Sequence, residues 1–415
     1  MAPSQWQPPA RPQWLQRLNA EADSFDLKNV VPLDKNSLIS AACSATGLSQ
    51  FGDDFWREPF EVLIKSIETD AELNLMGRLM SRNDILTWLK NRLQITDLLK
   101  RHPEILEQKI ASPMFIVGLP RSGTSILFEL LSQDPKFGVP LLWEAMIPCP
   151  PPESGSYTSD ARIDYVDRVV TQWARAVPEF ATMHEMGGRI PAECGLIMAN
   201  TFLSDHIASL HQATEYSLYY AQADLTPVYE YHKVILQILQ WKNPRRCWLL
   251  KAPEHQNNLE ILLKVYPDAR VVQTHRDPIK SMASATSLLG SLYWIRSDKA
   301  FDARSFEDIT MSAATAARLE SVIDQRQNNI VPEANITDSR YQDLMDDPLQ
   351  CIRGIYSHFD MNLDKGAAIN MEKYLNNKPK GKHGAHSYSI DAEEATKDRK
   401  LFERYRRHYN IPSEV

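Results

Sequence analysis

The stretch MFIVGLPRSGTS at residues 114–125 decides the fold of this chain. Its first four residues are apolar and predict a buried strand. A short loop bounded by Gly118 and Gly123 follows, and the apolar pattern of residues 126–131 then predicts a helix. A loop between a strand and a helix presents backbone N–H groups and a helix N-terminus to a phosphate. The stretch therefore predicts a phosphate-binding loop in an α/β protein.

The two glycines have the G-x-x-x-x-G spacing of P-loop proteins, in which Lys and then Ser or Thr follow the second glycine. Here Gly123 is followed by Thr124 and Ser125, and a cation, Arg121, lies inside the loop. The lysine that would hold the outer phosphates of a triphosphate is absent. The loop is therefore suited to a phosphate but poorly built for ATP or GTP.

Composition places the chain among globular proteins. It has 415 residues, of which 43% are apolar and 24% charged, and its net charge of −7 gives no indication of a nucleic-acid partner. No apolar run reaches the roughly 18 residues that span a bilayer, and the N-terminus lacks the apolar core of a signal peptide. We therefore expect a cytoplasmic protein with no membrane span. Five scattered cysteines without a C-x-x-C pair argue against a disulfide framework or a zinc site.

The pattern of apolar residues divides the chain into a helical N-terminal segment, 1–110, and an α/β domain, 111–415. Beyond the first strand, residues 247–250 and 270–274 are short apolar runs that predict two more strands, and a helical insertion at about 155–242 separates them from the first. Strands that alternate with helices indicate a P-loop-type parallel β-sheet flanked by helices on both faces. Ligands bind at the carboxyl ends of such strands, so we expect the polar residues there to converge.

Three motifs follow those strands in order: PRSGTS at 120–125, LKAPEH at 250–255 and THRDP at 274–278, with Ser284 downstream. Together they resemble the sulfotransferases that use 3′-phosphoadenosine-5′-phosphosulfate (PAPS), in particular the bacterial-type branch with a P-R-S-G-T-[ST] loop. The resemblance runs from about residue 50 to about residue 390. It implies transfer of a sulfuryl group from PAPS to a hydroxyl, phenol or amine of a small-molecule acceptor, with 3′,5′-ADP as product and no metal.

The resemblance also implies which residues bind the donor. The 5′-phosphosulfate end would be held by the residues of the first loop: Arg121, Ser122, Gly123, Thr124 and Ser125. The 3′-phosphate would be held by Arg276 and Ser284, with Ser281, one helical turn earlier, as an alternative to Ser284. Tyr341 stands where the family has a tyrosine that contacts adenine, and a buried tyrosine at a strand end is the alternative interpretation.

A basic stretch near the end of the sequence, residues 378–386, resembles the glycine loop that closes over the 3′-phosphate in this family. Lys380, Gly381 and Lys382 are the residues of this stretch that the resemblance assigns to the donor. The alternative is a flexible, solvated basic loop.

The same resemblance suggests residues for the chemistry. Arg121 and Lys251 are the cations that would stabilise the charge spreading over the transferring group, in place of a metal. The base that takes the acceptor proton could be His255, since imidazole titrates near neutrality. Cytosolic members space this lysine and histidine two residues apart, whereas here they are four apart. Glu193 and His184, in a segment that also resembles this branch, could be the base or could orient the acceptor.

Two other functions remain open at this point. The first is a P-loop kinase or nucleotide hydrolase, against which the missing lysine and the second basic site at Arg276 argue. The second is a non-catalytic member of the family that retains a nucleotide-binding pocket. The sequence specifies neither the acceptor nor the oligomeric state.

Overall fold

The computed structural model describes residues 8–178, 187–301, 312–377 and 392–414. Helices occupy most of the chain before the first strand. Asn74 begins the longest of them by accepting a hydrogen bond from Gly77 N–H at 2.8 Å, and Gly47 ends another in a left-handed conformation. The helices of this segment are α1 Gln13–Glu21, α2 Leu27–Val30, α3 Lys35–Thr46, α4 Arg57–Thr69 and α5 Leu75–Arg101.

Five strands form one sheet in which every neighbouring pair is parallel and the order is β2-β3-β1-β4-β5. The strands are β1 Met114–Gly118, β2 Phe137–Gly138, β3 Cys247–Lys251, β4 Arg270–His275 and β5 Ile336–Arg340. The three strands predicted from the sequence are the three at the centre. The two added strands lie at the edges of the sheet. One has only two residues and the other has four polar residues out of five, so neither carries a long apolar run.

Helices connect and cover these strands. They are α6 Thr124–Leu131, α7 Leu142–Met146, α8 Ala161–Ala176, α9 Cys194–Met198, α10 Asp205–Leu210, α11 Thr214–Gln222, α12 Thr226–Trp241, α13 Leu259–Val265, α14 Pro278–Arg296, α15 Ser312–Gln327, α16 Tyr341–Asp346, α17 Pro348–His358, α18 Lys365–Asn377, α19 Ala392–Asp398 and α20 Glu403–Tyr409. Over the residues that the structure covers, no helix is both long and apolar enough to cross a bilayer.

The side chains of β1 alternate between two cores, one on each face of the sheet. Phe115 and Val117 pack with residues of α12 and α13, whereas Met114 and Ile116 pack with residues of α6 and α17. All four side chains are fully buried, and each contributes about 1.5–3 kcal/mol by leaving water. A parallel sheet covered on both faces by helices is the fold class that the sequence predicts, and the prediction is confirmed.

Candidate active site

The loop between β1 and α6 is fixed to the neighbouring strand by its own hydroxyls. Ser122 Oγ donates to Leu119 O at 2.6 Å and lies 2.6 Å from Thr274 Oγ1 on β4. Gly118 has a φ of +146°, and a Cβ there would lie 2.2 Å from Thr274 Oγ1, so only glycine fits this turn. Arg121, at a φ of +68°, adopts the left-handed conformation that non-glycine residues rarely take. The loop is a constrained turn with an arginine at its tip.

A buried lysine joins this loop to two other elements. Lys251, the last residue of β3, is 3% exposed, and its Nζ donates to Ser125 Oγ at 3.1 Å. The same ammonium pairs with Glu193 Oε1 at 2.5 Å, just before α9. The ion pair compensates much of the cost of burying the lysine charge. A cation is thereby placed at the first turn of α6, where the missing P-loop lysine would otherwise stand.

A cavity of about 810 Å³ opens beside this lysine. Its volume lies in the upper part of the roughly 300–1,000 Å³ range of small-molecule sites. Residues 118–121, Thr124 and Ser125 line one side of it, and Glu193 and Lys251 line it as well. Away from the loop after β1, the wall is largely apolar and includes Trp88, Val170, Trp173, Leu196, Leu288 and Leu292.

Two carboxyl groups on the cavity wall form a pair. The Oε2 of Glu254 accepts hydrogen bonds from Asp205 N–H and from the Tyr220 hydroxyl, both at 3.0 Å. Burial raises the pKa of Glu254. Burial, and next the charge of Glu254, raise the pKa of Asp205 well above its ordinary value. Burial and the neighbouring charge both oppose ionisation of Asp205, so the two carboxyl groups do not both ionise easily.

His255 lies on the other side of the same short segment, away from the cavity. It is fully buried, its Nδ1 lies 2.8 Å from the Tyr229 hydroxyl, and its ring packs edge-on against Phe115. Burial, and secondarily His232, lower its pKa well below the ordinary value. The structure therefore does not bring this predicted base to the cavity, whose lining includes its neighbours Glu254 and Gln256 instead.

The arginine that follows β4 is held by the end of the described chain. Arg276 Nε donates to both carboxylate oxygens of Glu414, at 2.8 and 3.0 Å, and one of its terminal nitrogens donates to the second oxygen at 2.7 Å. Its other terminal nitrogen donates to Arg121 O at 2.9 Å. The guanidinium carbon lies 3.9 Å from the centre of the Tyr341 ring. The guanidinium of Arg276 is thus paired with a carboxylate and is also hydrogen-bonded to the loop after β1.

The two candidate serines of α14 differ in their surroundings. Both are buried, but only Ser281 lines the cavity, and its Oγ has no hydrogen-bond partner in the part of the chain that the structure describes. Ser284 is not part of that lining. Tyr341 packs against the loop, since a Cβ on Gly123 would lie 3.1 Å from its ring.

Some predicted site residues lie outside the described residues: His184, Lys380, Gly381 and Lys382. Among the residues of the four described ranges, no group of three or more His, Cys, Asp or Glu side chains is placed to hold a metal ion. The sequence reasoning assigned no role to Asp205, Tyr220 or Glu414. Glu254 could have been found, because it stands only three residues after Lys251.

Comparisons with known proteins identify the family to which the chain is similar. A model of the sulfotransferase family matches residues 113–365. The omega-hydroxy-beta-dihydromenaquinone-9 sulfotransferases Stf3 of Mycobacterium bovis and Mycobacterium tuberculosis are each 24% identical to this chain over 262 residues. These alignments cover 62% of this chain and 65% of each relative, just under two thirds of its length.

Two crystal structures resemble the whole fold. Sulfotransferase STF1 from Mycobacterium tuberculosis H37Rv has a TM-score of 0.76 and 29% identity, covering 90% of this chain and 98% of its own. Sulfotransferase STF9 from Mycobacterium avium has a TM-score of 0.78 and 26% identity, and the match covers 94% of this chain and 100% of its own.

Proposed function

We propose that this chain, which belongs to the sulfotransferase family, transfers a sulfuryl group from PAPS to a hydroxyl of an apolar small molecule. The observation that carries the proposal is the placement of Lys251. Its ammonium lies 3.1 Å from Ser125 Oγ at the first turn of α6, beside a loop that lacks the P-loop lysine. The ammonium of Lys251 would thus lie close to the sulfuryl group that PAPS carries on its 5′-phosphate.

The donor would lie along the loop after β1, with its 5′-phosphate on the backbone N–H groups of residues 121–125. Arg276 and Ser284 or Ser281 would hold the 3′-phosphate, and Tyr341 would contact the adenine. This proposal is supported by the hydrogen bond between Arg276 and the carbonyl of Arg121, which ties the two phosphate sites together. Lys380, Gly381 and Lys382 remain proposed contacts to the 3′-phosphate.

The chemistry would be an in-line displacement at sulfur in which Arg121 and Lys251 stabilise the charge that develops on the transferring group and the departing phosphate. Once bound, the two reactants need mainly positioning and charge stabilisation. We assign the proton acceptor to the carboxylates of the cavity rather than to His255, because that histidine faces the core. Glu193 would hold Lys251 in place.

The acceptor would be an alcohol with a large apolar body. The wall beyond Lys251 offers apolar side chains such as Trp173, Leu288 and Leu292. The Stf3 relatives act, by their name, on an omega-hydroxy-beta-dihydromenaquinone-9. Burying apolar surface in this cavity is the main source of affinity that the site can offer.

Transfer of ³⁵S from labelled PAPS to primary alcohols of increasing chain length tests this proposal. We expect kcat/KM to rise about fourfold per added CH₂, which corresponds to about 0.8 kcal/mol, until the cavity is full. Sugars of similar size, as controls, should accept label far more slowly. Transfer to the sugars in preference to the alcohols, or hydrolysis of ATP without any sulfuryl transfer, would contradict the proposal.

Glu414 should compete with the donor for Arg276. Removing its carboxylate in Glu414→Ala is expected to tighten 3′,5′-ADP binding by about three- to tenfold, since part of an ion pair must be broken before the 3′-phosphate can bind. Titration calorimetry measures the change, with Glu403→Ala, on a neighbouring helix, as control. Unchanged or weaker binding in Glu414→Ala would show that the contact does not overlap the donor site.

A further inference from the structure

Three carboxyl groups on the cavity wall differ in their partners. Glu193, Asp205 and Glu254 all line the cavity, and Lys251 pairs with Glu193. Asp205 and Glu254 instead interact with each other, and each is also influenced by the charge of Glu193. A second carboxylate close to the first is costly unless a proton is shared between them. Asp205 and Glu254 therefore form a carboxyl pair that is distinct from the Glu193–Lys251 ion pair.

The two carboxyl groups of the pair differ in how they are held: Glu254 is fixed by hydrogen bonds, whereas Asp205 is more exposed to the cavity. The Oε2 of Glu254 is fixed by two donors, Asp205 N–H and the Tyr220 hydroxyl. Glu254 is only 6% exposed, whereas Asp205, at the first turn of α10, is partly exposed. A Cβ on Gly195 would lie 3.3 Å from Asp205 Oδ1 and 3.4 Å from Glu254 Oε1. Both carboxyl groups thus face the same spot beside α9, which begins directly after Glu193.

We propose that Asp205 and Glu254 together form the site that binds the acceptor hydroxyl and takes its proton. This proposal rests on the proposed sulfotransferase function. In the step, the acceptor O–H bond breaks and its proton passes to the carboxylate of the pair. The acceptor oxygen forms the new O–S bond, and the S–O bond to the 5′-phosphate breaks, with 3′,5′-ADP leaving with the electron pair.

The alternative base, Glu193, is less suited to this role because its carboxylate already neutralises the ammonium of Lys251. Protonating Glu193 would break that ion pair and leave a buried lysine charge uncompensated, which is strongly unfavourable. In the Asp205–Glu254 pair burial opposes the charged forms, and a carboxylate there can take a proton without breaking the ion pair between Glu193 and Lys251. A base whose pKa is raised toward neutrality also matches the requirement for proton transfer near pH 7.

The groups around the pair must be considered together, since each can influence its titration. Apart from Glu193 and Lys251, they are His206 on the same helix as Asp205, Tyr216 and Tyr220 on α11, Tyr229 on α12 and Cys194 on α9. Burial raises the pKa of the tyrosines and of the cysteine. The tyrosines and the cysteine are therefore neutral where the pair titrates, and Glu193 is the neighbour that adds negative charge.

The sign of the resulting pH dependence is determined by the raised pKa values. With falling pH the pair binds its second proton, and the base is lost. In the wild type, kcat/KM for decan-1-ol should therefore fall on the acid side at a pH above the ordinary carboxylate range. Asp205→Asn keeps the shape and a hydrogen-bond donor toward Glu254 but removes one of the two carboxyl groups, the one that is more exposed to the cavity. We expect it to lower kcat/KM about 100-fold or more and to abolish that acid limb.

Glu254→Gln is the second test and should give the same loss, whereas Asp224→Asn, an exposed control, should change neither rate nor profile. All variants should bind 3′,5′-ADP within about twofold of the wild type, which separates this site from the donor site. Isotope-edited infrared spectra test the protonation of the pair without any acceptor. A band of a protonated carboxyl group from Asp205 or Glu254 should persist at pH 7. It should vanish in the variant that carries both Asp205→Asn and Glu254→Gln.

Three results would overturn the proposal. The first is a value of kcat/KM, and a fall of kcat/KM at acid pH, that are unchanged in both Asp205→Asn and Glu254→Gln. The second is loss of the limb in Glu193→Gln alone, which would assign the base to Glu193. The third is the absence of any protonated carboxyl band at pH 7. Failure of the wild type to bind 3′,5′-ADP would instead contradict the proposed function itself, and with it the role of the pair.

Discussion

Lys251→Met is expected to lower kcat for sulfuryl transfer about 100- to 1,000-fold. The ammonium of Lys251 is the buried cation beside the first turn of α6, and losing one well-placed electrostatic group costs about 3–4 kcal/mol of barrier. Methionine has nearly the volume of lysine, so the packing around position 251 should be retained. Glu193 loses its ion pair with Lys251, but its side chain is 31% exposed and stays hydrated.

Single-turnover measurement of ³⁵S transfer at saturating PAPS reports the chemical step for this variant. Lys264→Met, which removes an exposed lysine paired with Glu260 on α13, is the matched control and should leave kcat unchanged. Binding of 3′,5′-ADP should weaken by less than about tenfold, since the product lacks the sulfuryl group that the lysine stabilises. A Lys251→Met variant that retains more than a tenth of the wild-type kcat would exclude the assigned role.

Arg276→Ala should weaken 3′,5′-ADP binding by about 30- to 300-fold and leave 5′-AMP binding almost unchanged. Hydrogen bonds to a charged group contribute about 1.5–3 kcal/mol each, and a guanidinium can make two of them to a phosphate. The loss is reduced because the wild type must first release Glu414 from the same guanidinium. Since 5′-AMP lacks the 3′-phosphate, it reports any indirect effect through the carbonyl of Arg121.

Calorimetric titration of 3′,5′-ADP and of 5′-AMP into the wild type and into Arg276→Ala gives four affinities. Together they isolate the contact between Arg276 and the 3′-phosphate. Arg340→Ala removes an exposed arginine next to Tyr341 and serves as the control. An equal loss of affinity for 3′,5′-ADP and 5′-AMP in Arg276→Ala would mean that the arginine supports the loop and does not contact the 3′-phosphate.

The central part of the fold could be predicted because its signals are local. The apolar run, the two glycines and the helix of residues 114–131 are contiguous, and the two other central strands are short apolar runs. The rule that ligands bind at the carboxyl ends of parallel strands then brings their loops together. The edge strand β5 was not predicted because Ile336 is its one apolar residue among five, so its sequence carries no apolar run.

The site was predicted less completely, for reasons visible at residues 253–258. This segment is a 3₁₀-helix, in which successive side chains point about 120° apart. Glu254 therefore faces the cavity while His255 faces Phe115 and Tyr229 in the core. Sequence alone does not show this turn. Asp205 comes from a helix 49 positions earlier in the chain, and no local pattern links it to Glu254.

The donor-binding site is best tested by titrating the wild-type protein with 3′,5′-ADP, with 5′-AMP and with ATP plus magnesium in parallel. We expect saturable one-to-one binding of 3′,5′-ADP that is clearly tighter than that of 5′-AMP and of magnesium–ATP. Both phosphates of the product should contribute, one on the loop after β1 and one on Arg276. Binding of magnesium–ATP that is tighter than binding of 3′,5′-ADP would show that the loop binds a triphosphate and that the chain does not use PAPS.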